Sequence, residues 1–99
     1  MNPYSQWIDG LRPLQVIQET PGLLRDAMAG HAAAGTVDQP RAEGAWTPRQ
    51  ILAHLADTEI VFGMRLRQSV AEDGHVIQPF DQDAWARGYA AADVETALA

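Results

Sequence analysis

The chain has 99 residues, which allows one small domain over residues 1–99 with a thin margin for burying a core. Its formal net charge of −6, with only seven basic residues, argues against nucleic acid or an anionic membrane as a partner. It has no cysteine, which excludes disulfide bonds, a thiol nucleophile and cysteine-based zinc sites.

The N-terminal residues 1–5 contain neither the basic nor the apolar region of a secretory signal. No apolar run elsewhere approaches the length needed to cross a bilayer. We therefore expect a cytoplasmic protein that does not enter the membrane.

The segment 5–30 has a helical pattern that is interrupted by Pro13 and Pro21. Thr20 fits an N-cap and Pro21 fits a first helical position, which favours a new helix start at Thr20. The alternative is one continuous helix that is kinked near Pro21. A linker of glycine, proline and small residues is expected over 30–44.

The clearest helix start in the sequence follows Trp46. Thr47 fits the N-cap of a capping box, with Pro48 in the first turn and the side chain of Gln50 reaching back to the cap. Trp46 and Ile51 have the spacing of a hydrophobic staple across this start. These signals predict the second main helix.

That helix should extend to about Ala71 and stop at Asp73 and Gly74. At about 100° per residue, six apolar residues share one face of it. They are Ile51, Leu52, Leu55, Phe62, Leu66 and Val70. We expect this face to form the core.

The rest of the chain predicts a structured loop over 75–89 and the start of a third helix over 91–99, with Asp93 as its N-cap. No strand pattern or internal repeat is present. The expected fold is all-α, an up-down helical bundle of the four-helix type. This chain supplies two main helices and a partial third, so the bundle is incomplete within it.

Three histidines are candidate metal ligands. His31 and His75 lie in predicted linkers, where a solvated histidine is typical. His54 lies inside the second main helix, about 60° from Ile51 at the margin of the apolar face. It is either a boundary residue with local hydrogen bonds or a ligand that points into the bundle.

Four acidic residues need an assignment. Glu59 projects beside the apolar face, so it is either partly buried and paired or a rim residue that points outward. Asp57 falls on the opposite, polar face and is expected to be solvated. Asp81 and Asp83 are too few for an EF-hand loop and fit the cap of a turn or helix better.

The three tryptophans fit a core better than a ligand cage.

Residues 46–59 read WTPRQILAHLADTE, which combines a tryptophan, a Thr cap and a His-Leu-x-Asp-x-Glu run. This pattern resembles the second helix of DinB-like domains, a family that includes the YfiT-like proposed metal-dependent hydrolases. The segment 79–89 also fits the family, and Thr20 with Pro21 resembles the start of its first core helix. The resemblance covers the chain from about Leu14 onward and corresponds to the N-terminal portion of such a domain.

In that family a four-helix bundle holds a divalent metal, usually through three histidines, and the first of these matches His54. The other two come from an H-x-x-x-H pair on a later helix, which neither His31 nor His75 matches. The resemblance therefore implies a metal of the Zn, Ni, Fe or Mn class, held by His54 and by ligands from elsewhere. It also implies that Glu59 or Asp81 could hydrogen-bond a metal ligand. No organic cofactor is indicated, because no glycine-rich phosphate loop is present.

Two functions are consistent with these features. The first is a metal-dependent enzyme that acts on a small-molecule substrate, as a hydrolase or as a transferase of low-molecular-weight thiols. The second is a non-catalytic helical module that self-associates, because two main helices leave the face from Leu52 to Val70 incompletely covered. Antiparallel pairing of two chains would regenerate a four-helix arrangement, which predicts a homodimer through this face.

Overall fold

The computed structural model describes residues 3–99, and these residues form helices and turns without a β-strand. The all-α prediction is therefore confirmed for this part of the chain. Met1 and Asn2, which open the segment expected to lack a secretory signal, lie outside the described residues. The helices are α1 (Ser5–Ile8), α2 (Pro13–Ala34), α3 (Pro48–Ala71), α4 (Gln82–Ala86) and α5 (Val94–Leu98), with a 3₁₀ turn at Tyr89–Ala91.

The first long helix, α2, is continuous across Pro21, so the predicted new helix start at Thr20 is wrong and the alternative of one continuous helix is confirmed. Pro13 occupies the first turn, where the N–H that proline lacks would have no helical partner in any case. The Thr20 hydroxyl does not cap a helix but donates a 2.6 Å hydrogen bond to the carbonyl of Val16, one turn earlier. α2 ends at Gly35, whose φ of +71° is the left-handed conformation that favours glycine.

The second long helix, α3, begins at its predicted cap and ends close to its predicted stop. Thr47 Oγ1 accepts a 3.2 Å hydrogen bond from the backbone N–H of Gln50. Gln50 Oε1 accepts a 2.8 Å bond from the backbone N–H of Thr47, which completes the capping box. The helix ends at Ala71, and Gly74 has a φ of +67° in the turn that follows.

The C-terminal part of the chain folds back onto α3 through short elements. Asp81 caps α4 by accepting a 3.0 Å hydrogen bond from the N–H of Ala84. Asp93 caps α5 by accepting a 3.0 Å bond from the N–H of Thr96, as its position predicted. The 3₁₀ turn and α5 both contact α3, and α5 also contacts α2.

The fully buried core is small. Its described members are Met28, Leu52, Ala53 and Tyr89. The prediction that the tryptophans lie in a core is wrong for two of them, because Trp7 and Trp85 are exposed and only Trp46 is half-buried. The C-terminal elements, which are α4, the 3₁₀ turn and α5, are too short to cover all three tryptophan rings.

The chain has an open shape. It exposes 8027 Å² and has a radius of gyration of 15.8 Å. A compact domain of the same mass would expose about 5,500 Å², with a radius of gyration of about 13 Å. The prediction that the apolar face of α3 forms the core is wrong for five of its six residues, because little of the described chain covers them: Leu52 is buried, but Ile51, Leu55, Phe62, Leu66 and Val70 are exposed. We call these five exposed residues the apolar face of α3. Within the described chain, no helix combines the length and apolar character needed to span a membrane.

Candidate functional site

His54 lies on α3 and is flanked by aromatic side chains from two other parts of the chain. Trp46, just before the α3 cap, meets the imidazole edge-on, with 5.1 Å between ring centroids. Tyr89, at the start of the 3₁₀ turn, has its ring centroid 6.2 Å from that of His54 and 5.7 Å from that of Trp46. We call these three residues the His54 cluster. It holds the imidazole between the core and the surface.

Tyr89 connects the His54 cluster to Asp57. Its hydroxyl donates a 2.7 Å hydrogen bond to Oδ2 of Asp57. Asp57 is half-buried, so the prediction that it is solvated on a polar face is wrong, because the 3₁₀ turn covers that side of α3. Burial, followed by the hydrogen bond to the Asp57 carboxylate, raises the pKa of Tyr89 to about 12. Tyr89 is therefore a protonated hydrogen-bond donor at neutral pH.

The Nδ1 atom of His54 is buried and has no hydrogen-bond partner among the described residues. The ring as a whole is half-buried, so part of it reaches the surface. A buried polar atom without a partner costs about 1–3 kcal/mol, and native structures leave few such atoms. A group that engaged this nitrogen would remove that cost.

The residues described here provide one histidine for a metal and not a complete metal site. Within residues 3–99 no three His, Asp or Glu side chains are placed to hold a metal ion. A site with fixed geometry needs three or four protein ligands. The chain therefore fits one ligand of a divalent metal, and no reaction step through a metal follows from these residues alone.

The two acidic residues expected to hydrogen-bond a metal ligand have different surroundings. Glu59 is exposed and makes no hydrogen bond or ion pair with another described residue, which agrees with the rim alternative. Asp81 caps α4, and Asp83 lies in the first turn of that helix. Capping and the positive end of the helix account for both aspartates without calcium.

The other two histidines have local partners. His31 lies in the last turn of α2, so its predicted place in a linker is wrong; α2 continues beyond its expected end. Its Nδ1 lies 2.8 Å from Oγ1 of Thr36. His75 lies in a loop as predicted, and its Nδ1 is 3.5 Å from Oε2 of Glu72. In the described part of the chain, His54 is thus the histidine with a buried nitrogen and no partner.

A groove of about 160 Å³ lies between α2 and α3, away from the His54 cluster. It is lined by Leu24, Ala27, Met28, His31, Pro48, Ile51, Leu52 and Leu55. Because Ile51 and Leu55 also belong to the apolar face of α3, the groove and that face form one continuous apolar surface. Because its lining is mostly apolar, this surface is better suited to packing against another apolar element than to catalysis.

The sequence did not predict Trp46, Asp57 and Tyr89 as the neighbours of His54. Asp57 follows His54 by three residues, a spacing that places two side chains next to each other on a helix, so a signal was available. The position of Trp46 before a helix cap predicts packing but does not identify its partner. Tyr89 has no local signal, because its contacts join distant parts of the sequence.

Comparisons with known proteins match the segment that carries His54. The family model described as the DinB superfamily matches residues 17–99. The "Putative metal-dependent hydrolase YfiT" of Bacillus subtilis (strain 168) is 35% identical over 72 residues, which are 73% of this chain and 40% of that protein. A relative of similar name from Geobacillus kaustophilus is 34% identical over 83 residues, which are 84% of this chain and 43% of the relative.

A third relative, also named a metal-dependent hydrolase and from Oceanobacillus iheyensis, is 33% identical over 85 residues. The match covers 86% of this chain and 45% of that protein. The chain therefore spans less than half the length of these relatives. No solved structure matches it significantly.

Proposed function

The chain belongs to the DinB superfamily, and we propose that it forms part of a divalent-metal-dependent enzyme domain of the hydrolase class that acts on a small molecule. In this proposal His54 is the one metal ligand that the described residues supply. The remaining ligands come from outside residues 3–99, either from further residues of a longer protein or from a second chain.

The buried and unpartnered Nδ1 of His54 is the observation that carries this proposal. His54 occupies the position that resembles the first metal ligand of the family, within the segment that the family model matches. Trp46 and Tyr89 flank the ring and restrict its rotation, and a metal ligand benefits from such restriction. The names of the matched relatives support a metal-dependent reaction.

Hydrolysis is the reaction class that we propose, because the matched relatives are named hydrolases. Transfer of a low-molecular-weight thiol is the second reaction class. Assays of the metal-loaded protein with ester and amide substrates, and with a thiol and an electrophile, distinguish the two. We expect turnover in the first assay once the further ligands complete the site, whereas turnover in the second alone would favour the transferase.

The metal proposal is tested on the purified 99-residue chain. The chain is stripped with a chelator, exposed in turn to Zn²⁺, Ni²⁺, Fe²⁺ and Mn²⁺, and separated from excess metal before its metal content is measured. His54→Ala is the test variant. His75→Ala is the matched control, because His75 is also half-buried but lies beside Glu72 in a loop.

We expect bound metal that is lost in His54→Ala and retained in His75→Ala. Where a second chain supplies the further ligand, this metal should appear in a dimer at roughly half an equivalent per chain, and it should bind weakly because two His54 side chains fall short of the three or four ligands of a fixed site. Metal that persists in His54→Ala, or that is lost equally in both variants, would contradict the role of His54.

A second function is favoured by the exposed apolar face of α3. The chain exposes 8027 Å², which is roughly 2,500 Å² more than a compact domain of its mass. Stable homodimers commonly bury about 1,000–2,500 Å² on each chain. This excess is spread over the whole chain and the α3 face is one part of it, but it is of the size that a second copy would bury. The alternative proposal is therefore a non-catalytic module that pairs through this face.

The mass of the metal-free chain in solution separates these two proposals. A stable dimer that binds none of the four metals would support the module. A chain that remains monomeric at micromolar concentrations would contradict the module. In that case the apolar face is covered by other residues of a longer protein.

A further inference from the structure

Arg49, in the first turn of α3, joins three segments of the chain. Its Nε and Nη2 atoms donate hydrogen bonds to the two carboxylate oxygens of Asp38, at 2.7 and 3.2 Å. Its Nη1 atom donates to the carbonyl of Ala92 at 2.8 Å, and its backbone N–H donates to the carbonyl of Val37 at 3.1 Å. One planar guanidinium group thus connects the linker after α2, the start of α3 and the segment before α5.

The electrostatic part of this arrangement is the pair with Asp38. The hydrogen bond between the two side chains lowers the pKa of Asp38 and raises the pKa of Arg49. Because the Asp38 side chain is 65% exposed, the ion pair alone should add little to stability. The bond to Ala92 is more informative, since it holds a backbone group that is distant in sequence.

Ala92 leads directly to the His54 cluster. The N–H of Ala92 donates a 3.1 Å hydrogen bond to the carbonyl of Tyr89, which closes the 3₁₀ turn. The ring of Tyr89 lies against His54, and its hydroxyl binds Asp57. A continuous set of contacts therefore runs from the guanidinium of Arg49 through Ala92 and Tyr89 to His54.

We infer that Arg49 is a positioning residue, which acts through Ala92 and Tyr89 to hold the His54 ring in its place. The 3₁₀ turn has three residues and α5 has five, and elements this short are unstable without tertiary contacts. Loss of the bond from Arg49 should release Tyr89 from His54. The inference rests on the proposed function only in treating His54 as the functional residue, and its test needs no metal.

Arg25 provides a matched control within the same chain. Its Nη2 atom donates a 3.1 Å hydrogen bond to the carbonyl of Leu98, so it also ties a helix to the C-terminal segment through a guanidinium and a backbone carbonyl. It has no ring contact with the His54 cluster. Replacing either arginine removes one positive charge and one bond to a carbonyl. Arg49→Met also removes the exposed ion pair with Asp38, and only Arg49 is linked to Tyr89.

The test compares Arg49→Met and Arg25→Met in a chain that also carries Trp7→Phe and Trp85→Phe, so that Trp46 is the only tryptophan. The first readout is the NMR shift of the His54 ring protons, which the ring currents of Trp46 and Tyr89 should displace from the value of an isolated histidine. The second is quenching of Trp46 fluorescence by acrylamide. We expect Arg49→Met to lose most of this ring-current displacement and to raise the quenching constant roughly two-fold through local opening.

Arg25→Met should leave both readouts at their starting values. Equal changes in the two variants would mean general loosening of the chain and would overturn the inference. Unchanged His54 shifts in a folded Arg49→Met chain would also overturn it. If Arg49→Met does not fold, Arg49→Lys is used instead, because lysine keeps the charge but lacks the fork that reaches Asp38 and Ala92 together. Arg49→Lys should then change the resonances of the His54 ring protons as expected for Arg49→Met, and unchanged resonances would again overturn the inference.

Discussion

The hydroxyl of Tyr89 donates a 2.7 Å hydrogen bond to the carboxylate of Asp57, across 32 residues of sequence. Tyr89 is 5% exposed, so its hydroxyl has left water and needs a partner within the protein. Asp57 provides a charged acceptor, which makes stronger hydrogen bonds than a neutral one. This bond ties the C-terminal segment to the middle of α3, directly beside His54.

Replacing Tyr89 by phenylalanine should therefore destabilise the protein. Tyr89→Phe leaves a half-buried carboxylate without its donor, and we expect the free energy of unfolding to fall by about 1–3 kcal/mol. Urea denaturation followed by circular dichroism measures this change. Thr58→Ala is the control, because the Thr58 hydroxyl bonds to the carbonyl of Leu55 within α3, and an equal loss in both variants would show that the Tyr89 bond makes no special contribution to stability.

The same bond predicts a loss of stability at high pH. The pKa of Tyr89 is raised from its ordinary value of 10.0 to about 12 in the folded chain, mainly by burial. Stability due to protonated Tyr89 is complete below pH 10 and is lost as the pH rises from 10 towards 12. The free energy of unfolding should fall more steeply there in the wild type than in Tyr89→Phe. Parallel curves for wild type and Tyr89→Phe would contradict this assignment.

The capping box at the start of α3 gives a second test. Thr47→Ala removes the acceptor for the N–H of Gln50, and we expect it to lower the free energy of unfolding by about 1 kcal/mol. Thr58→Ala is the matched control, because the Thr58 hydroxyl bonds to the carbonyl of Leu55 within the helix and caps nothing. Thr58→Ala should change the free energy of unfolding by less than about 0.5 kcal/mol. If Thr58→Ala destabilised the protein more than Thr47→Ala, the stabilising role of the cap would be contradicted.

The start of α3 could be predicted from sequence because a capping box is a local device. Thr47, Pro48 and Gln50 lie within four consecutive positions, and their contacts follow from that spacing. The same reasoning failed at Thr20 and Pro21, where the residues equally suit a cap. The helix before them continues across Pro21, and Thr20 bonds back to Val16 within it.

The His54 cluster was predicted only in part, and for a physical reason. Periodicity placed His54 at the margin of an apolar face, and the structure places it at the boundary of the core. The contacts of Tyr89 with His54 and Asp57 depend on how a loop and two short elements fold back onto α3. Those elements have too few residues for a pattern, so Asp57 was assigned to solvent and Arg49 had no predicted role.

A further prediction concerns α2 and compares two glycines that differ in backbone conformation. Gly22 lies inside α2, and a Cβ there would meet no atom within 4 Å. Gly22→Ala should raise the free energy of unfolding by about 0.5–1 kcal/mol, because alanine loses less backbone entropy in a helix. Gly35→Ala should lower it by about 1–2 kcal/mol, because Gly35 ends α2 with a φ of +71°. Thermal unfolding measures both, and a stabilising Gly35→Ala would contradict the left-handed cap.

The apolar face of α3 makes the final prediction, which concerns self-association. If a second copy covers this face, the melting temperature of the wild type must rise with protein concentration, because dimerisation stabilises only folded chains. Phe62→Gln and Leu66→Gln each replace an exposed residue of the face and should remove that dependence. Met64→Gln is the control. Met64 is 59% exposed, close to the 57% of Phe62, but it lies about 200° from Phe62 around the helix axis and therefore outside the apolar face.

The three variants separate pairing through this face from unspecific association of an apolar chain. Unspecific association would respond to Met64→Gln as strongly as to Phe62→Gln, because the two side chains expose similar fractions of apolar surface. Pairing through the face requires that only Phe62→Gln and Leu66→Gln return the chain to a monomer. If the wild-type melting temperature does not change with concentration, a second copy does not cover this face, and other residues of a longer protein would have to cover it. It would then favour the enzyme domain, in which His54 is completed by ligands from the same polypeptide.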